Sequence, residues 1–187
     1  ATAEDSLVVD GTHTNQVEAT FSSWPTDGRS DTLNDSADFT VDAASLSKSD
    51  GGSTGVAVGE IVTYTLSIAS PAGTVRSLAV TDTLPAGMIF DVGSIVYGDL
   101  PAAAFQTAGP NDGSAPTTLS WDFGDAAMNG TAGVITFTAR IADMAGNTAG
   151  TVRTNNSTMT YRNAAGEEQT RNASDSVTIA EPTMALD

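Results

Sequence analysis

Apolar and polar residues alternate along this chain with a period of two, and the clearest stretch runs from Val56 to Phe90. There Val62, Tyr64, Leu66 and Ile68 are interleaved with Thr63, Thr65 and Ser67, the pattern of a strand with one face on a core. Ser70-Pro71-Ala72-Gly73 reads as a turn, and a second strand follows with Leu78, Val80 and Leu84 on one face. The same parity puts Asp82 on that face. A carboxylate among apolar neighbours is costly without a partner, so Asp82 needs a reason to be there. Leu84-Pro85-Ala86-Gly87 closes the strand, because proline cannot donate to a central ladder and glycine permits the turn that follows.

Similar runs recur downstream: Ile95 with Tyr97, then Leu119, Trp121 and Phe123, then Ile135, Phe137, Ala139 and Ile141, then Met159 with Tyr161, and finally Val177 with Ile179. Each is followed by Gly, Pro, Asn, Asp or Ser, and helical spacing is nearly absent. The fold class is therefore all-β. A longer small-residue connection from Leu100 to Pro116 favours two packed antiparallel sheets over a barrel, so a β-sandwich is expected.

The first forty residues align with the last thirty. Asn15-Gln-Val-Glu-Ala-Thr-Phe21 matches Asn155-Asn-Ser-Thr-Met-Thr-Tyr161, and Ser36-Ala-Asp-Phe-Thr-Val41 matches Ser174-Asp-Ser-Val-Thr-Ile179. The two matches differ in offset by the length of a hairpin loop, around Trp24-Pro25 in one copy and Ala164-Gly166 in the other. Ser45-Leu46-Ser47 likewise corresponds to Ala185-Leu186-Asp187. Residues 1–42 thus read as the closing strands of a preceding repeat or an exchangeable N-terminal segment. Residues 43–180 read as one complete sandwich, and 181–187 as the start of the next. Repeats stacked end to end make rods or filaments. The simpler alternative is two hairpins that share only composition.

The segments VGEIVTYTLSI, VTDTLPAGMIF, LSWDFGD, ITFTARI and NNSTMTY, in that order, resemble the family catalogued as domain of unknown function 11, a conserved repeat of bacterial and archaeal surface proteins. The resemblance covers about Ser45 to Ile179. It implies an Ig-like antiparallel sandwich used as stalk or wall material in large exported proteins, with no assigned catalytic activity. The acidic excess is stronger than that family requires.

That excess changes the picture of partners. The 187 residues hold 23 acids against seven bases, a net charge of −16, and the only lysine is Lys48. Nucleic acid and anionic membrane are unsuitable partners for such a chain, whereas saline or divalent-cation surroundings suit it. Cysteine is absent. No apolar run reaches the roughly 18 residues that would span a bilayer, so no membrane insertion is expected. Nothing at Ala1 resembles a signal peptide, and the chain reads as a mature form or a fragment.

Three residues carry the sharpest chemical expectation. Lys48 shares parity with Leu46 and points toward the core; Asn155 shares parity with Met159 and Tyr161; Asp82 faces inward. First and last strands of a sandwich can lie side by side, and a buried lysine must be paired or neutral. A neutral Lys48 amine could attack the Asn155 carboxamide, with protonated Asp82 polarising it, giving an amide crosslink and releasing ammonia. This resembles the intramolecular isopeptide chemistry of collagen-adhesin-type surface domains. The competing reading has Lys48 snorkelling to the rim and pairing with an acid, Asp82 capping a turn before Leu84-Pro85 and Asn155 bonding an edge backbone.

Acid-rich loops offer calcium-type oxygens at Asp27, Asp31 and Asp35, at Asp50, at Asp112, and at Asp122 with Asp125, although none has the full spacing of a known calcium loop. Solvated turns in an acidic protein are the plainer account, and no other cofactor is expected. Catalysis finds little support: His13 is the only histidine, and no nucleophile elbow or Gly-rich phosphate loop is present. The expected function is a non-enzymatic structural repeat unit of an extracellular filament, stalk or large cell-surface protein, joined head to tail with near-identical units. One alternative is a separate filament subunit that assembles by donating its N-terminal strands. Another is an adhesive module that binds carbohydrate or protein through loops at one end of the sandwich.

Overall fold

A computed structural model describes residues 7–22 and 30–180. Every element among them is a strand: β1 (Gly11–Ser22), β2 (Ser30–Val41), β3 (Ser45–Ser49), β4 (Val56–Ala57), β5 (Ile61–Ala69), β6 (Ala72–Leu84), β7 (Met88–Phe90), β8 (Val96–Gly98), β9 (Ala104–Ala108), β10 (Thr117–Asn129), β11 (Gly133–Ile141), β12 (Val152–Arg162) and β13 (Glu168–Ala180). They form a six-stranded sheet in the order β4-β13-β12-β6-β10-β9, a five-stranded group in which β3-β5-β11-β7 are joined and β8 also pairs β11, and a separate two-stranded β1-β2 hairpin. The large sheets face each other as a β-sandwich. Their inward positions are those the alternation assigns: Val62, Tyr64, Leu66 and Ile68 on β5; Ile135, Phe137, Ala139 and Ile141 on β11; Met159 and Tyr161 on β12; Val177 and Ile179 on β13. Trp121 fills the centre, with its ring 5.5 Å from Phe105 and 5.9 Å from Phe137.

Three local readings differ from the structure. The strand after the first turn begins at Ala72, inside Ser70-Pro71-Ala72-Gly73, and pairs with the far end of β10 through Ala72 and Asn129. Its parity then switches. Val75 is buried and so are Leu78, Val80, Asp82 and Leu84, because a bulge opposite Gly124 sets Ser77 at φ 50° and the Asp125 carboxylate accepts the Ser77 N–H at 2.9 Å. Between Leu100 and Pro116 lies a strand, β9, which covers the edge of β10. Lastly, Tyr97 stays partly exposed on β8, packing edge-on against Phe123 at 6.4 Å, while Ile95 joins the core.

The β1-β2 hairpin is rooted in the sandwich but stands apart from both sheets. Val8, Val9, Val41 and Ala44 at its base are buried. Thr74 N–H donates to the Leu7 carbonyl at 2.6 Å, and Val9 N–H to the Thr74 carbonyl at 3.2 Å. Gly73 and Gly11 allow this approach: a Cβ on Gly73 would collide with the Leu7 carbonyl oxygen, and one on Gly11 with Ala164. Tyr161 donates its hydroxyl proton to Asp10 Oδ2 at 2.8 Å. Burial, reinforced by Asp10, pushes that hydroxyl up to about 12.

Candidate functional site

Strand β3 lies at the edge of the five-stranded group, with Lys48 opposite Leu66 of β5, so its side chain enters the space between the sheets. There it is fully buried. Lys48 Nζ donates to Asp82 Oδ2 and, at 2.9 Å, to Ser157 Oγ; Ser157 Oγ in turn donates to the same Asp82 oxygen at 2.5 Å. Asp82 and Ser157 face one another across β6 and β12, so the ladder register presents both to the lysine. Aromatic rings wall the cluster: Nζ is 4.8 Å from the Tyr64 ring centroid and 5.8 Å from that of Phe137.

Burial holds the Lys48 ammonium below the usual lysine range, against the opposing pull of Asp82. The Tyr64 hydroxyl is driven up, first by burial and then by the surrounding Asp50, Asp82 and Asp175.

Asn155 lies on the same face of β12 as Ser157. It sits one inward position before Ser157 on β12, about 6.6 Å along the strand, and opposite Asp175 of β13. Its side chain is buried and neither Oδ1 nor Nδ2 has a partner; Asp82 Oδ1 is also unpartnered. Buried amides are almost always satisfied, so this one calls for an account. Thus Lys48 and Asp82 are in direct contact and Asn155 is buried on the same strand face as their third partner, without itself bonding Lys48. Of the competing reading, the pairing of Lys48 with an acid is what the structure shows, with Asp82 as that acid, whereas the solvent rim is not where it occurs, because the lysine side chain is fully enclosed.

Ser157 is the member sequence reasoning passed over. Its parity with Asn155, Met159 and Tyr161 was the available signal, but serine on an apolar face draws less notice than a charge. The cluster also sits where β3 leaves the sandwich core: Asp50 N–H donates to Asp175 Oδ2 at 2.7 Å, tying the end of β3 to β13.

The described acidic candidates are spread over β2, β10 and the turns after β3 and β9. Asp27 lies outside the described residues, as does Trp24. Asp31 and Asp35 are on β2, where Asp35 accepts the Ser36 N–H at 2.8 Å. Asp50 Oδ1 accepts the Gly52 and Ser53 N–H groups. Asp112 caps Ser114, Asp122 caps Gly124, and Asp125 holds Ser77. Among the described residues no three His, Cys, Asp or Glu side chains converge in a way that could hold a metal ion. His13 on β1 places Nε2 at 2.8 Å from the Val8 carbonyl and stacks on Phe39 at 5.5 Å.

No protein-family model matches the chain, and no curated protein matches it. Among solved structures it is similar to BcpA, the major pilin subunit of Bacillus cereus, at 10% identity and TM-score 0.52, with 88% of this chain and 48% of the pilin covered. A single-residue variant of that pilin aligns at 12% identity and TM-score 0.53 over the same shares. The collagen-binding subdomain of the Enterococcus faecalis surface protein ACE aligns more loosely, at 10% identity and TM-score 0.48, over 72% of this chain and 95% of the subdomain. The chain spans about half the length of the pilin it matches. At such identities the likeness is one of fold, an all-β sandwich of the kind that pilin contains.

Proposed function

We propose that this chain is a non-enzymatic structural unit of an extracellular filament, stalk or large cell-surface protein, and that an amide bond between Lys48 and Asn155 stiffens it. The observation that carries the reading is the buried Lys48–Asp82–Ser157 cluster, which bridges the two sheets, together with the unpartnered Asn155 carboxamide buried on the same face of β12 as Ser157. Fold similarity to a pilin subunit agrees with it.

In the proposed step the ammonium gives a proton to Asp82 Oδ2, which leaves a neutral amine. Its lone pair attacks Asn155 Cγ, while the protonated Asp82 polarises the carboxamide oxygen. The new C–N bond forms as the bond to Nδ2 breaks. Nδ2 takes one proton from the attacking amine and a second from Asp82, and departs as ammonium, so that Asp82 returns to its carboxylate form and the chain loses the mass of one ammonia. Burial assists twice, by favouring the neutral amine and by excluding water from the acyl carbon.

Such a link closes a loop of about 107 residues and, treated like a disulfide, contributes about 4–5 kcal/mol through the unfolded state. It would bind β3, where the chain enters the sandwich, to β12 near its exit, so a pull along the chain would load the bond rather than the ladder. The intact mass of the chain tests this. A deficit of one ammonia, mapped by peptide digestion to Lys48 and Asn155 and absent in Asp82→Ala, is the expected result. A full mass in the folded wild-type chain overturns the crosslink.

A further inference from the structure

The hairpins β1-β2 and β12-β13 share one register. Asn15 stands opposite Ala37 as Asn155 stands opposite Asp175, Ala19 opposite Leu33 as Met159 opposite Arg171, and Phe21 opposite Asp31 as Tyr161 opposite Gln169. These pairings arise from backbone hydrogen bonding, independently of the sequence match, and the two agree at every step. In β12-β13 the odd-numbered face is the buried one, with Tyr161 at 1% exposure and Val177 at 0%. The corresponding face of β1-β2 is bare: Val17 is 61% exposed, Phe21 48%, Leu33 64% and Phe39 43%.

The reverse face is polar along its whole length, from Thr12 through Glu18 on β1 and from Thr32 through Asp38 on β2. Polar residues interrupt the apolar face at His13 and Asn15 on β1 and at Asp31 and Asp35 on β2, the last two at the positions of half-buried Gln169 and Ala173. Moreover, among the described residues β1 pairs only with β2, so its other edge has no strand partner there, at the place where β12 pairs β6.

We infer that the exposed face and free edge of β1-β2 form a docking surface, and that its partner is a second sandwich of this chain's own type whose closing-hairpin position is open. There β1 would lie beside the partner's equivalent of β6, and Val17, Phe21, Leu33 and Phe39 would enter the partner's core. Asn15 would take the place that Asn155 occupies here. This deepens the head-to-tail reading by naming its surface and partner, and it stands whether or not the Lys48 crosslink forms. An intact copy of this chain cannot accept the hairpin in that way, because its own β12-β13 fills the position.

The test asks whether β1-β2 can close a sandwich. In the full chain, residues 152–180 are replaced by a second copy of residues 12–42, with Val17→Ser in the transplanted copy so that Lys48 keeps a hydroxyl partner. A companion chimera deletes one residue at the start of the transplant, which throws every side chain to the opposite face. The first chimera is expected to unfold in one cooperative transition with slowed amide exchange across the transplant; the companion is expected to show neither. Folding of both alike, or of neither, overturns the inference. So does dimerisation of the wild-type chain that Leu33→Glu abolishes while the first chimera stays unfolded, an outcome that makes the partner a second intact copy. The mass measurement on the wild-type chain decides the crosslink separately, so the two ideas fail separately.

Discussion

One hairpin of this molecule is folded into a core and the other, with the same register and nearly the same alternation, is held out in solvent. β12-β13 buries Asn155, Ser157, Met159 and Tyr161 against the opposite sheet; β1-β2 presents Asn15, Val17, Ala19 and Phe21 to water. Alternation is thus a statement about what a strand is suited to cover, and burial is supplied by whatever lies across from it. Two-stranded ribbons are marginal by themselves, and this one is anchored by the buried residues at its base. The comparison yields paired substitutions in which the same chemical change has different consequences in the two hairpins.

The largest contrast is expected at the two asparagines. Asn155→Ala should restore the ammonia mass and lower stability by about 4–5 kcal/mol, the contribution of the closed loop, while Asn15→Ala in the isolated chain leaves both mass and melting temperature unchanged. The sign is informative. Without a crosslink, Asn155→Ala removes a buried amide that has no hydrogen-bond partner, a change that is neutral or stabilising. Thermal melts of the two variants therefore separate the accounts without needing an accurate energy.

Next come the aromatic pair. Tyr161→Ala empties a fully enclosed ring site and removes the hydrogen bond to Asp10, which should cost about 3–5 kcal/mol. Phe21→Ala, at the equivalent place in β1-β2, should change stability by less than about 0.5 kcal/mol, because the ring has little to leave. Denaturant midpoints of both variants, measured on the uncrosslinked Asn155→Ala background, put the comparison on reversible ground. A large loss at Phe21 would mean that the face is already covered in solution.

Much of this was legible from residue order. Period two identified the inward faces of β5, β11, β12 and β13, since nothing but a half-buried sheet needs Val-Thr-Tyr-Thr-Leu-Ser-Ile in that order. Lys48 and Asp82 were legible as inward charges for the same reason. What escaped was local or non-periodic. The strand Ala104–Ala108 reads as a loop because alanine and threonine give little hydrophobic contrast, and it is held by pairing to β10 and by Phe105 on Trp121. The parity switch at Ser77 comes from a bulge fixed by Asp125, forty-eight residues away, which no window along the chain contains. Ser157 became visible only once the register of β12 on β6 set it opposite Asp82.

The smallest expected effect uses pH to ask whether Lys48 is still an amine. Burial lowers the proton affinity of Lys48 in the folded state relative to the unfolded chain. Between the lowered value and the ordinary lysine value near 10.4 the unfolded state therefore binds more protons, and stability rises with pH. The cost of a buried ammonium is present at neutral pH and is relieved on the way up. An amide nitrogen does not titrate in this range, so the crosslinked wild type should show no such slope. The Asn155→Ala variant should gain stability from pH 7 to pH 10, and adding Lys48→Met should flatten it again. Above that window the Tyr161 hydroxyl, pushed up to about 12, works in the opposite sense: the unfolded tyrosine ionises first and stability falls with rising pH. Denaturant melts should therefore stop at pH 10. A slope in the wild type equal to that of Asn155→Ala would mean that the lysine is free in both, and that the cluster is an ion pair buried for shape alone.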